Sequence, residues 1–123
     1  MAETASTLSA SLLSARLDEI KARHGDPPWS ERVVISDEIT VTVICQPPGH
    51  SNDRHFHIRD ECWYVAEGEL VWHFDSGEEV HVKAGDFVFA PKNDYHLIVP
   101  AGDQPSIRVA ISVTGEPHRH ERV

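Results

Sequence analysis

The chain has 123 residues, enough for one domain with a core of its own. Hydrophobic residues make up 40% and charged residues 25%, which excludes disorder of the whole chain. The formal net charge of −9 repels phosphate backbones, so we expect no nucleic-acid partner. No apolar run reaches the roughly 18 residues of a membrane helix. The first residues also lack a positive start followed by an apolar stretch, so we expect no membrane association and a cytoplasmic location.

The first predicted element is a helix from residue 6 to about residue 24. Leu13, Leu17 and Ile20 recur at helical spacing and form one apolar stripe. Gly25 suits the end of a helix, and the two prolines that follow forbid its continuation. We expect the stripe to pack against the rest of the domain or against a second copy of the chain.

Beyond residue 28 the apolar period changes from 3.6 to 2, the period of a strand. Alternation is clearest at 39–44 and 107–113, and the short runs between them are separated by turns rich in Gly, Asp and Asn. Many short strands predict an antiparallel sandwich or barrel, with Phe87 and Phe89 as ordinary core. The predicted organisation is an N-terminal helix and linker at 1–28, a β-barrel at 29–115 and a loose polar tail at 116–123.

Histidine is the unusual part of the composition, because nine of the 123 residues are His. An excess of histidine indicates a metal site, a proton-transfer site or a tail. His118 and His120 lie in a terminal stretch without apolar alternation, so we expect them in solvent. The two cysteines, Cys45 and Cys62, form no CxxC motif, and we expect both to be reduced and packed.

Two histidines with the spacing of metal ligands lie in the stretch 49–68. His55 and His57 are two residues apart, and on a strand such residues face the same side with Cα atoms about 6.6 Å apart. Both imidazoles can therefore converge on one ion. Glu61 follows after a tight turn, at the start of the next predicted strand. A His-x-His pair arises easily by chance in a histidine-rich chain, so the assignment needs a wider pattern.

Such a pattern surrounds the pair. Glycines stand six residues before the first histidine and seven residues after the glutamate. The spacing resembles the first motif of the cupin superfamily, with every fixed position matched. Those positions are Gly49, His55, His57, Glu61 and Gly68.

A second stretch resembles the second cupin motif. Gly85 is followed at the expected spacing by Pro91 and His96. Asn93 stands where a glycine is usual, and Pro100 stands where an asparagine is usual. Asparagine tolerates the left-handed backbone conformation, so we expect the turn to be preserved.

The resemblance implies an all-β fold, the double-stranded β-helix or cupin jelly-roll barrel, here preceded by one N-terminal α-helix. It also implies one divalent transition metal per chain, with His55, His57, Glu61 and His96 carried over by position as the ligands. Three imidazoles and a carboxylate suit Fe, Mn, Ni, Co, Cu or Zn and leave coordination positions open. The alternative is a cupin that keeps these residues as packed core, but four converging polar groups are costly to bury without an ion.

Four further side chains are candidates for a substrate pocket. Trp63 is expected to share the inward face of the ligand strand, as a pocket wall or as core. Trp72 and His73 are neighbours on a strand, so only one of them can point inward. Arg54 flanks the ligands, as does Arg59, and either residue can meet an anionic substrate or lie on the surface.

Cupins that keep all four ligands include dioxygenases, decarboxylases, isomerases and lyases, so the resemblance does not select a reaction. We expect a metal-dependent enzyme of dioxygenase type that acts on a small organic molecule, with Glu61 as the catalytic residue that takes up a proton. One alternative is a non-catalytic module that binds or senses a metal or a small ligand. Another is a metal-dependent isomerase, decarboxylase or lyase. Small barrels expose sheet edges, so we also expect a homodimer.

Overall fold

The structure is a computed structural model that describes residues 14–121. Among these residues it contains one helix and eight strands, which confirms the predicted all-β fold with one N-terminal helix. No helix in the described part of the chain has the length and apolar character needed to cross a bilayer. The elements are α1 Leu17–His24, β1 Trp29–Ile35, β2 Ile39–Gln46, β3 Glu61–Glu67, β4 Glu69–Phe74, β5 Glu79–Lys83, β6 Phe87–Ala90, β7 His96–Ala101 and β8 Ser106–Val113.

The strands form two antiparallel sheets around a shared interior. One sheet has the order β1-β2-β8-β3-β6, and the other has the order β5-β4-β7. Both sheets contribute to one buried cluster, because Trp63 comes from β3, Ala110 from β8, Trp72 from β4 and Ile98 from β7. This arrangement is the double-stranded β-helix, and its interior is filled by side chains from alternate strand positions.

The helix begins later than the apolar stripe predicts. Arg16 has extended backbone angles, φ −108° and ψ 129°, and Leu17 is the first helical residue. The predicted turns at 6–13 lie outside the described residues. Helix α1 ends as expected, because Gly25 adopts a positive φ of 74° and donates its N–H to the carbonyl of Lys21 at 3.0 Å.

Helix α1 packs on the outer face of the five-stranded sheet. Ile20 is its buried residue, and burying such a side chain contributes about 1.5–3 kcal/mol. Cys45 lies in the same cluster and Cys62 is half-buried in the same sheet, and both are free, as predicted. The buried residues of the cluster under the helix are Ile20, Val33, Val43, Cys45 and Ile107.

The rest of this outer face is uncovered in the described structure. Phe87 is 76% exposed and Phe89 is 55% exposed, so the prediction that they are core is wrong. Strand β6 turns Val88 and Ala90 inward instead, because its register with β3 places them beside the inward-facing Trp63 and Glu61. The same surface also exposes Ile39, Tyr64, Ile111 and Val113.

Two turns explain motif positions that the sequence singled out. Gly68 joins β3 to β4 at φ 79°, and a Cβ atom there would lie 2.7 Å from the carbonyl oxygen of Pro105 and 2.8 Å from Cα of Ser106. Only glycine fits this close approach and this backbone conformation. Asn93 adopts φ 70°, which confirms that asparagine preserves the left-handed turn.

Candidate metal centre

Four side chains converge inside the barrel where β3 and β7 begin. Glu61 is the first residue of β3 and His96 is the first residue of β7. His55 and His57 belong to the connection between β2 and β3, which forms isolated bridges rather than the predicted strand. His55 is bridged to His96, and each donates its backbone N–H to the other's carbonyl, at 3.2 and 2.9 Å. This bridge brings the two motifs together.

The four side chains are close enough to share one ion. One ligand atom from each residue lies within 4.8 Å of the others. Nε2 of His57 is 3.1 Å from Oε1 of Glu61, and Nε2 of His96 is 3.7 Å from the same oxygen. The ring of His55 lies 4.5 Å from that of His96 and 4.9 Å from that of His57. All four residues are buried, with exposures from 1% to 8%.

Several of the converging atoms have no hydrogen-bond partner. Oε1 of Glu61 and both ring nitrogens of His96 are buried and unpaired. Buried polar atoms without partners are costly, and a bound cation would satisfy a carboxylate oxygen and imidazole nitrogens together. The donor set therefore fits a divalent transition metal.

Electrostatics keeps two of the three imidazoles neutral and the carboxylate ionised. Burial lowers the pKa of His96 to about 4, and burial likewise lowers the pKa of His55. Burial also acts to lower the pKa of His57, but the adjacent Glu61 carboxylate outweighs it and raises that pKa. Burial acts to raise the pKa of Glu61, but His57 outweighs it and holds that pKa below its usual value. Two neutral imidazoles thus lie beside an ionised carboxylate.

A second layer of hydrogen bonds orients three of the four side chains. Nδ1 of His55 donates to the backbone carbonyl of Asp53, two residues earlier in the chain, at 2.8 Å. Nδ1 of His57 donates to the carbonyl of Pro117 at 2.9 Å, so in the neutral ring the lone pair is on Nε2, the nitrogen nearest Glu61. The hydroxyl of Ser112 donates to Oε2 of Glu61 at 3.0 Å and leaves Oε1 directed at the histidines.

Residues 116–121, here called the C-terminal segment, cover the cluster. Arg119 pairs with Phe56 in a two-way backbone bridge, at 2.9 and 3.1 Å. The ring of His118 stacks on His55 at 3.7 Å with an interplanar angle of 5°. His120 contacts the carboxylate of Asp53. The prediction that this segment lies loose in solvent is wrong, although the side chains of His118 and His120 remain about half exposed.

A second group of ligand-type residues lies at the edge of this cover. Asp53, His55 and His118 place one ligand atom each within 4.8 Å of one another. Nδ1 of His55 is already engaged with a backbone carbonyl, and Asp53 and His118 are exposed. The group is therefore less suited to an ion than the four buried residues.

The two tryptophans proposed from sequence lie inside the barrel. Trp63 meets His96 edge-on, with ring centroids 5.2 Å apart, so it forms a wall beside the cluster. Trp72 lies 5.2 Å from Trp63 and is fully buried. Both belong to the interior cluster.

The other two proposed pocket residues lie away from the cluster. His73 points to the opposite side of its strand from Trp72, and its Nδ1 is 3.5 Å from a carboxylate oxygen of Glu79. Arg54 pairs with Asp75 and stacks over the ring of Tyr95 at 4.7 Å. The structure therefore brings neither of them to the four converging residues.

Strand β8 supplies two polar interior residues, Arg108 and Ser112, that the sequence analysis did not single out. Arg108, Ala110 and Ser112 alternate along it and face the interior, whereas the apolar row from Ile107 onward lies under α1 and on the outer face. A hydrophobic pattern alone favours the apolar row as the interior, which explains the omission. The signal available was a single charged residue, Arg108, in the middle of an uncharged strand.

Comparisons with known proteins agree with this architecture. The model of the cupin domain matches residues 42–114, more than half of the chain. A solved structure from Klebsiella pneumoniae, described as an uncharacterized conserved protein with a double-stranded beta-helix domain, superposes with a TM-score of 0.66. It is 26% identical in sequence, and the superposition covers 80% of this chain and 88% of that one.

Two curated proteins are similar in sequence over shorter stretches. An acireductone dioxygenase from Leptospira biflexa is 35% identical over 87 residues, which are 68% of this chain and 48% of that protein. An oxalate-binding protein from Thermotoga maritima is 40% identical over 58 residues, which are 46% of this chain and 47% of that protein. The chain spans about half the length of the curated relatives it matches. Because the domain model matches most of the barrel, the chain belongs to the cupin family.

Proposed function

We propose that the protein is a metal-dependent enzyme of dioxygenase type that acts on a small organic molecule. In this proposal His55, His57, Glu61 and His96 hold one divalent transition metal per chain. The observation that carries it is the convergence of three imidazoles and one carboxylate, among which Oε1 of Glu61 and both ring nitrogens of His96 are buried without a hydrogen-bond partner. The similarity to a protein named as a dioxygenase supports oxygen chemistry over the other reactions open to such a site.

A divalent metal in this donor set would act as a Lewis acid or support oxygen chemistry. The protein's own residues prepare the surroundings. The Ser112 hydroxyl fixes one oxygen of Glu61, and Glu61 is the group able to accept a proton from a substrate. Trp63 presents an apolar wall that favours a planar molecule. The C-terminal segment limits water at the side where His118 covers His55.

A non-catalytic binding protein is the second candidate. The near-complete burial of the four residues favours it, because a closed site suits retention of a ligand better than rapid turnover. The similarity to a protein named as oxalate-binding points in the same direction. A metal-dependent isomerase, decarboxylase or lyase would use the same residues with a different substrate.

Metal content and oxygen uptake separate these candidates. Protein purified without chelator is analysed for metal, and oxygen consumption is then measured against small phenols, diketones and thiols. Glu61→Gln keeps an oxygen donor but removes its charge, so it should abolish uptake while retaining part of the metal. Glu79→Gln, at an exposed site on β5, is the matched control. Absence of tight metal binding would overturn the proposal, whereas metal binding with saturable ligand uptake and no turnover would favour the binding protein.

The homodimer and the cytoplasmic location remain predictions. The uncovered apolar surface around Phe87 and Phe89 is the surface on which a second copy would pack. Light scattering of the purified protein measures the oligomeric state, and Phe87→Glu should dissociate a dimer formed there.

A further inference from the structure

The buried arginine of β8 is the charged group that the proposed metal site leaves unexplained. Arg108 is 3% exposed, and it is the one Lys or Arg that is buried among the described residues. It faces the barrel interior on the same side of β8 as Ser112, which holds Glu61. The four candidate metal ligands and the guanidinium of Arg108 therefore face the same barrel interior.

The hydrogen bonds of this guanidinium are incomplete. One terminal nitrogen donates to the side-chain oxygen of Gln46 at 2.6 Å, whereas Nε is buried and has no partner. No carboxylate of the described chain lies within ion-pair distance of Arg108. Glu61 is the acidic residue whose charge acts on it, and Glu61 is already engaged by Ser112 and by the histidines.

The charge is present even though it is buried. Burial lowers the pKa of Arg108 to about 10, which still leaves it protonated at neutral pH. A buried cation is costly unless an anion faces it. A bound divalent ion would add two positive charges to the one of Arg108, against the single negative charge of Glu61. The interior would then carry two positive charges in excess, which attracts an anion.

We infer that Arg108 is the residue that binds a carboxylate group of an anionic substrate inside the barrel. A guanidinium presents its N–H groups in a planar fork that matches the two oxygens of a carboxylate. The inference names the substrate class of the proposed metal site and rests on that proposed function. It also assigns to an interior arginine the role that sequence reasoning offered to Arg54, which is engaged by Asp75 and Tyr95.

Oxalate is a suitable probe, with oxamide as its uncharged counterpart. Binding of each compound is measured by calorimetry to protein loaded with Ni(II) and to protein stripped of metal. Arg108→Met removes the charge at similar length, and Arg108→Lys keeps the charge but loses the fork. Lys83→Met, which removes a charge from an exposed position on β5, is the control. Metal affinity is measured for every variant.

We expect Arg108→Met to weaken oxalate binding about tenfold or more, with Arg108→Lys intermediate and Lys83→Met within about twofold of the unmodified protein. Oxamide should bind weakly to all four proteins, and Arg108→Met should keep its metal affinity. Replacing a buried charge by an apolar side chain of similar volume is tolerated in protein interiors. If Arg108→Met nevertheless unfolds, Arg108→Lys decides the matter.

The possible failures are distinguishable. If Arg108→Met binds metal normally and binds oxalate as tightly as the unmodified protein, the inference is overturned and the proposed function stays intact. If Arg108→Met unfolds, the same result in folded Arg108→Lys has the same meaning. Absence of metal binding would overturn the proposed function, and oxalate binding that depends on Arg108 in stripped protein would still support the inference. Absence of oxalate binding in both forms would overturn it.

Discussion

The two regions that enclose the candidate metal centre are held in place by different means. The ligand region is fixed by backbone pairing, since Glu61 and His96 begin paired strands and His55 is bridged to His96. The C-terminal segment is held by one bridge and by side-chain contacts, and its two histidines are about half exposed. The comparison teaches that backbone pairing within the barrel positions Glu61 and His96, whereas the C-terminal segment contributes one bridge and the carbonyl that orients His57.

The ligand region provides the largest expected effect. His57→Ala and His96→Ala each remove a converging nitrogen, and we expect metal affinity to fall by at least about 100-fold, the upper end of the range for residues that merely support ligands. Metal titration of stripped protein checks this. His81→Ala, which changes a 71% exposed histidine on β5, should leave affinity unchanged. An equal loss of metal affinity in this control would show that surface histidines, rather than the four buried residues, bind the metal.

The ligand region was predictable because its determinants are local. The stretch from Gly49 to Gly68 resembles a known motif whose positions are close together in the chain, and the structure brings the four residues that this resemblance implies together. His96 was predicted as the fourth ligand from the second motif, and the left-handed turn of that motif is preserved at Asn93.

The remaining features depend on pairings between distant parts of the chain. The C-terminal segment docks through Arg119 and Phe56, which are 63 positions apart, and no local period reports such a pairing. Phe87 and Phe89 lie outside because the registers of neighbouring strands decide which face of β6 turns inward. Arg108 was missed because one row of β8 is wholly apolar, and a hydrophobic pattern assigns that row to the interior.

Deleting residues 116–123 tests the cover with an intermediate expected effect. The deletion removes the carbonyl that orients His57 and the ring that stacks on His55, so metal affinity should fall about tenfold. Strand β8 ends at Val113, so the melting temperature of metal-free protein should change little. Affinity and melting are measured on the same preparations. Unchanged affinity would mean that the segment only rests on the site, and loss of folding would mean that it is part of the core.

The smallest expected effect belongs to the single ring at the cover. His118→Ala removes the stack on His55, and aromatic pairs of this kind contribute about 0.5–1.5 kcal/mol, which corresponds to roughly a 2- to 12-fold loss of metal affinity. His118→Phe keeps a planar ring without a ligating nitrogen and should restore affinity. If His118→Phe binds the metal as weakly as His118→Ala does, His118 acts as a ligand. The C-terminal segment would then belong to the ligand region.

Strand β8 has two unlike faces, and this has a consequence for folding accuracy. A register shift of one residue turns every side chain of a strand to the opposite face. Such a shift would expel Arg108 and Ser112 from the interior and replace them with an apolar row, while the barrel could still close. The bulge between Val65 and Glu67 and the tight turn at Gly68 fix the correct register. The register of this one strand therefore sets both which side chains face the metal ligands and which form the outer apolar surface.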